Sequence, residues 1–262
     1  MNCKLSVLAS GSSGNSIYIS DGKINILIDA GLSGKEITKR LNKIGVSPDS
    51  IDAIIITHEH RDHVSGAGII SRRYNIPIYA NDPTWNNSYK CIGDISKDHC
   101  EIIKNDFMIG DIAVHPFSIS HDAALPFAYI LYCNKKKIGI ATDIGYFDEK
   151  IVNELMELDF LVIEANHDLD MLMTGDYPWK VKHRIKGDEG HLSNDDTAAL
   201  LPKIIDKNEP QILLAHLSED NNNREVAYIT IKNSLQANGL KEGTDYNIDF
   251  TYQDKPTRIY KI

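Results

Sequence analysis

The chain opens with three short runs in which apolar residues crowd or alternate, at 4–9, 16–20 and 24–29, separated by GSSGN and DGK. Glycine, asparagine and aspartate suit the backbone angles of tight turns, so the runs read as three strands. The period then lengthens. Ile37, Leu41 and Ile44 recur at helical spacing behind Ser33-Gly34-Lys35-Glu36, which has the form of a capping box, and Gly45 supplies a stop. A strand at 51–57, a helix at 65–73, a strand at 76–80 and a helix opening at Asp82-Pro83 follow. From 107 to 142 the pattern is again β, with IAVHPFSIS, FAYILYC and KIGIAT, the last two joined by an Asn134-Lys135-Lys136 turn.

Ile151, Leu155 and Leu158 predict a helix over 148–157, the run FLVIE a strand at 160–164, and 197–206 a helix despite Pro202. A strand at 212–215, a helix at 224–237 and two closing strands complete the pattern. No repeat or low-complexity tract interrupts it. Two β-rich stretches, each followed by helices, imply sheet on sheet with helices outside: an α/β fold of four layers, α/β/β/α, in a single domain over 1–262.

Composition narrows the class. No run approaches the roughly 18 apolar residues that cross a bilayer, and the apolar core of MNCKLSVLASG is too short for a secretion signal, so no membrane partner is expected. Cysteines at 3, 91, 100 and 133 have neither CxxC spacing nor the density of a disulfide scaffold, which favours a reducing, cytoplasmic setting. A formal charge of -9 argues against a broadly nucleic-acid-adhesive surface but leaves room for a local basic groove.

The candidate chemistry lies in THEHRDH, residues 57–63, directly behind an apolar strand. His58, His60, Asp62 and His63 have the spacing HxHxDH, and a loop leaving a strand can splay them toward two metal ions; a polar surface loop is the alternative. Four side chains cannot complete two metal shells, so further ligands are expected after later strands. His121, Asp143 and His216 stand there, each closing a β run.

Asp29, THEHRDH, His121, Asp143 and His216, in that order, resemble the motifs of the metallo-β-lactamase superfamily over nearly the whole chain. The resemblance implies one ion held by His58, His60 and His121 and a second by Asp62, His63 and His216. It further implies Asp143 bridging both and Asp29 supporting the histidine loop. LASGSSGNS, EANHD, EGHLSN and HLSEDNN are similar to the YycJ (WalJ) branch, whose bacterial cytoplasmic members are regarded as exonuclease-like. That likeness implies a metal-dependent phosphodiesterase acting as a 5'-to-3' DNA exonuclease. Zn2+ is the first expectation for the two divalent ions and Mn2+ or Fe the alternatives, since imidazole and carboxylate suit all three.

Asp62 and Asp143 are the catalytic carboxylates implied, and His191 and His167 the candidate proton donors. The GSSGN loop, through Ser12, Ser13, Gly14 and Asn15, could receive an anion. Lys182 and Arg184, within four formal positive charges between 180 and 186, could form a nucleic-acid groove with Tyr177 and Trp179 for stacking, or simply a solvated helix face. Ser193 and Asn222 join the expected substrate contacts. An RNA-processing nuclease is the nearest competitor, though no room exists between Asp143 and His216 for a β-CASP insertion, and a small-molecule phosphodiesterase or thioesterase also fits. β-Lactam hydrolysis is not expected without the cysteine ligand, nor a di-iron redox role with His60 in place. Oligomeric state is not legible.

Overall fold

A computed structural model describes residues 3–206 and 209–262. The residues gather into two compact units, one from the segments up to Pro116, Ala123–Lys136 and Thr251–Ile262, the other from Phe117–Asp122 and Lys137–Phe250.

In the first unit, strands β1 (Lys4–Ala9), β2 (Ser16–Ser20) and β3 (Asn25–Ile28) are joined by short turns and are therefore antiparallel. Helix α1 (Gly34–Lys43) carries the chain across to β4 (Ala53–Ile55), which lies parallel to β3. Helices α2 (Arg61–Val64) and α3 (Ala67–Tyr74) lead to β5 (Ile78–Ala80), and α4 (Asp82–Ile92) to β6 (Cys100–Ile102), both parallel additions. β7 (Phe107–Ile109) and β8 (Ile112–Ser118) form a hairpin whose turn uses Gly110 at φ 57, followed by β9 (Phe127–Cys133). Ile37 and Leu41 of α1 and Ala67 and Ile70 of α3 close over Leu8, Tyr18, Leu27 and Ile54 to make a core of buried side chains.

The second unit is built on four parallel strands: β10 (Lys136–Ala141), β11 (Phe160–Glu164), β12 (Gln211–Ala215) and β13 (Asn247–Phe250). Each crossover is helical: α5 (Glu149–Glu154), then α6 (Leu169–Thr174), α7 (Trp179–Lys186) and α8 (Asn194–Ile204), then α9 (Arg224–Ala237). The last strand, β14 (Tyr260–Lys261), returns to pair with β1. The first sheet runs β14-β1-β2-β3-β4-β5-β6 and strands β7 to β13 make up the second, so both are mixed sheets of seven strands, as the α/β expectation required. No helix among the described residues is long and apolar enough to cross a membrane.

Several local expectations change. Ser33 does cap α1, accepting from the Glu36 amide, but the Glu36 carboxylate turns to Arg40 and Lys39, so only half of the capping box forms. The complete box lies at Ser193 and Asp196, which start α8 earlier than the apolar pattern suggests. The connection before α8 contains two helices, α6 and α7. Cys3 and Cys133 form a disulfide with Cα atoms 6.0 Å apart. The pairing spans 130 residues, which no local spacing reveals, and it removes cysteine usage as an argument for a reducing compartment.

The loop after β3 approaches the histidine segment through glycine. A Cβ on Gly31 would lie 1.5 Å from the Asp62 carbonyl oxygen, and the Gly31 amide donates to Asn15 O at 2.8 Å. Backbone cannot yield as a flexible side chain can. Gly31→Ala is therefore expected to lower unfolding free energy by about 3 kcal/mol. Urea denaturation measures this, and a loss under about 1 kcal/mol would show that Asp62 is not held by this close approach.

Candidate metal centre

In the first unit the histidine segment follows β4, and its side chains are oriented by a buried carboxylate. Asp29 follows β3 with φ 59, a left-handed conformation that a non-glycine residue adopts at a cost of about 1 kcal/mol or more. The Thr57 amide and hydroxyl each donate to Asp29 at 2.9 Å, and His63 Nδ1–H donates to it at 2.7 Å. Because the Thr57 hydroxyl gives its proton to Asp29, its oxygen accepts from His58 Nδ1–H at 3.0 Å. These bonds fix the tautomers of His58 and His63 with Nε2 as the lone-pair nitrogen. The His58 ring lies 4.6 Å from that of His60 and 4.0 Å from that of His63, and Asp62 Oδ2 is 3.4 Å from His63 Nε2.

The GSSGN loop packs against the same segment. Asn15 is buried; its amide nitrogen donates to Asp62 Oδ2 at 3.2 Å and to His63 Nε2 at 3.0 Å, while its carbonyl oxygen accepts from the Gly11 amide. Asn15 thus holds the ligand loop, while Ser12 and Ser13 are exposed.

In the second unit the centre is Glu164, the last residue of β11 and wholly buried. Its Oε1 accepts from His191 Nδ1–H at 2.7 Å and His216 Nδ1–H at 2.9 Å, and its Oε2 from the Ile144 and Leu192 amides at 2.8 and 3.3 Å. Asp143 and His216 follow β10 and β12 with φ 61 and 55. Asp143 Oδ1 lies 3.3 Å from His216 Nδ1, 3.7 Å from His191 Nδ1 and 4.0 Å from His121 Nε2. His121 Nδ1–H donates to Gly190 O at 3.0 Å, which turns its Nε2 toward Asp143.

Asp143, Glu164, His191 and His216 offer ligand atoms all within 4.8 Å of one another, and only His191 is not fully buried. With Nδ1 of both histidines committed to Glu164, Asp143 and the Nε2 lone pair of His216 are the donors this cluster offers, and carboxylate with imidazole suits a divalent metal.

The Beta-lactamase superfamily domain matches residues 24–216, a span that includes every one of these ligands. The chain belongs to the metallo-β-lactamase superfamily. Within it, the YycJ branch is shown by two curated relatives. Exodeoxyribonuclease WalJ of Streptococcus pneumoniae serotype 2 (strain D39 / NCTC 7466) is 40% identical over 99% of this chain and 98% of its own. Exodeoxyribonuclease YycJ of Bacillus anthracis is 38% identical over the full length of both. The crystal structure of the metallo-beta-lactamase fold protein YhfI from Bacillus subtilis covers 100% of both chains with a TM-score of 0.74 at 14% identity, which shows the fold.

The branch motifs EANHD, EGHLSN and HLSEDNN knit together in the second unit. The Asn222 side-chain amide donates to Ala165 O and Asn166 O, that of Asn166 donates to His216 O, and the Asn194 amide donates to His167 O. Ser193 and Asn222, expected at the substrate, are buried, Ser193 spending its hydroxyl on Asp196 as the cap of α8. Lys182 is also buried and donates to Met173 O and Gly175 O at 2.8 and 2.6 Å. Arg184 is paired with Asp122 at 2.6 Å.

Glu164 received no role from the sequence. The available signal is an acid closing the apolar run FLVIE, where a charge survives burial only with strong partners. Burial alone would raise its pKa, yet the adjacent His191 and His216 hold it well below the usual carboxylate range. Burial lowers His121, against an opposing pull from Asp143. It also raises Asp29, less the effect of His63 and Thr57.

His167 is buried, and among the described residues neither ring nitrogen finds a hydrogen-bond partner. Burial lowers its pKa from 6.5 to about 4. Between those values the unfolded chain takes up a proton that the folded one refuses, so stability is present above pH 6.5 and falls as pH drops toward 4, by about 3 kcal/mol when complete. His167→Phe removes that dependence. In metal-free protein its unfolding free energy should gain about 3 kcal/mol relative to the parent between pH 7 and pH 4. Urea denaturation at stepped pH measures this, and a difference that does not vary with pH would contradict the neutral buried state.

Proposed function

We propose that this chain is a metal-dependent DNA exonuclease, a single domain with two divalent ions. His58, His60 and His121 would hold one ion and Asp62, His63 and His216 the other, with Asp143 available to both. The observation that carries the reading is full-length identity of about two-fifths to curated exodeoxyribonucleases, together with Asp143 and His216, buried carboxylate and imidazole held in place in the second unit. Zinc is the first choice of metal and manganese the second, with 5'-to-3' polarity.

When bound, such ions lower the pKa of a shared water from about 15.7 toward 7 and neutralise charge on the phosphoryl oxygens, help on the order of 10 kcal/mol against about 3 to 5 from a lone general base. The chain's own residues orient and move protons. Asp29 and Thr57 fix the rings of His63 and His58, and Glu164 fixes that of His216. Glu164 also holds His191 by Nδ1, leaving Nε2 to give a proton to the departing oxygen, and the partial exposure of His191 lets it reach substrate. The buried Glu164 carboxylate keeps the His191 ring in the orientation that this task requires. His167, neutral and enclosed, stands behind His191 as the lesser candidate.

His191→Ala should lower kcat by about 10²- to 10⁴-fold with metal content unchanged. End-labelled single- and double-stranded DNA and RNA, incubated with Zn or Mn and with a chelator, provide the test. Release of mononucleotides from DNA that stops on chelation is the expected result. Activity that survives complete metal removal overturns the metal reading, and preferential cleavage of RNA overturns the substrate.

A further inference from the structure

Two aromatic rings stand exposed in the second unit, each lining a cavity with the same lysine. Trp179, 62% exposed, lies over a cavity of about 280 Å³ that it shares with Met173, His183 and Lys186. Tyr146, 47% exposed, lines a second cavity of about 270 Å³ with Phe147, and Lys186 lines that one too. Lys186 is thus common to the cavities of both rings.

Charge around this strip divides cleanly. Of the basic residues on α7, Lys182 is spent on two carbonyls and Arg184 on Asp122, whereas Lys180, His183 and Lys186 are exposed with no ion pair among the described residues. Two of these three, His183 and Lys186, line the cavity beneath Trp179, on a chain whose net charge is -9. The Trp179 ring is held in place by Lys182 Nζ, 5.2 Å from its centroid, and by the His183 ring at 6.0 Å. A large apolar ring fixed in water beside cations suits a ligand with both a flat face and an anionic backbone.

The strip is also fastened to the candidate catalytic loop. The His191 amide donates to Ile185 O at 2.9 Å, and the Gly190 amide donates to Gly187 O at 2.7 Å. Gly190 in turn accepts from His121 Nδ1–H. Trp179 and Lys186 are two turns of α7 apart, roughly 10 Å. At about 3.4 Å per nucleotide step that separation spans on the order of three nucleotides. Tyr146 lies only three positions beyond Asp143.

We propose that Trp179, Lys186 and Tyr146 form a track for the unpaired nucleotides of single-stranded DNA, with bases stacked on the two rings and a phosphate at Lys186. Duplex DNA keeps its base faces covered by neighbouring pairs and cannot use the rings, so the track selects a single strand. Asp188 and Asp196 supply the negative charge in the second cavity, which makes that cavity a seat for a base rather than a phosphate. The track rests on the nuclease reading only for the choice of nucleic acid.

The test separates binding from cleavage. The chain has two tryptophans, so Trp85→Phe leaves Trp179 as the sole tryptophan reporter. Titration of this metal-free protein, in chelator, with a short oligo(dT) should quench its fluorescence, and a blunt duplex of equal length should not. By anisotropy of a labelled oligo(dT), Trp179→Ala, Tyr146→Ala and Lys186→Glu should each weaken binding about tenfold. Lys186→Glu should also reduce the salt slope by about one. All three residues are at the surface, and circular dichroism confirms that the variants fold. Absence of quenching, equal quenching by duplex, or unchanged affinity in the variants overturns the track. Failure of the nuclease reading looks different: oligo(dT) binds as described, but no metal releases nucleotides from it.

Discussion

The second unit depends on one buried carboxylate. Glu164 lies out of water at the end of β11 and remains charged only because two imidazoles and two backbone amides donate to it. Removing any donor would leave a dry, under-solvated charge, so the geometry is rigidly specified. Its consequence is chemical as well as structural. Both histidines must carry their proton on Nδ1, which leaves Nε2 of His216 as a lone-pair donor and that of His191 as the site of proton exchange.

The first unit repeats the device with different residues. Asp29 at the end of β3 plays the part of Glu164, taking His63 directly and His58 through Thr57. In both units the acid sits at the carboxyl end of a strand embedded in a sheet, where the backbone is fixed by its neighbours. Asp29, Asp143 and His216 leave their strands through left-handed backbone, and that turn gives each side chain its direction. Strain of this kind persists only where surrounding bonds over-determine it, and the ladder hydrogen bonds on both sides of each strand do so.

The site was legible in sequence as far as residue type and spacing reach. HxHxDH, and a His or Asp closing each of three later β runs, are local patterns, and the runs themselves alternate or crowd as strands do. What lies beyond them is set by tertiary bonds. Asn15 looked like an anion contact because Gly-rich turns often are, yet its amide is claimed by Asp62 and His63, far along the chain. Lys182 looked like a free cation within a basic run, but the carbonyls at the C-terminal end of α6 take it inward. Glu164 was hidden for the opposite reason: an acid at the end of an apolar strand resembles a solvent-facing terminus until the fold covers it.

Charge separates the roles further. An acidic protein repels a polyanion at long range, so nucleic acid must be met where positive charge is concentrated and unspent. Among the candidates, Lys182 and Arg184 are neutralised within their own unit, and the imidazoles around Glu164 are committed to that carboxylate. On α7, Lys180, His183 and Lys186 are exposed without an ion pair among the described residues, and His183 and Lys186 line the cavity beneath Trp179. A ligand with a flat face and an anionic backbone would cover the Trp179 ring and answer the charge of Lys186 together. Binding and chemistry would then be joined through the backbone, because the helix that presents Trp179 ends in the turn that bonds His121 and His191.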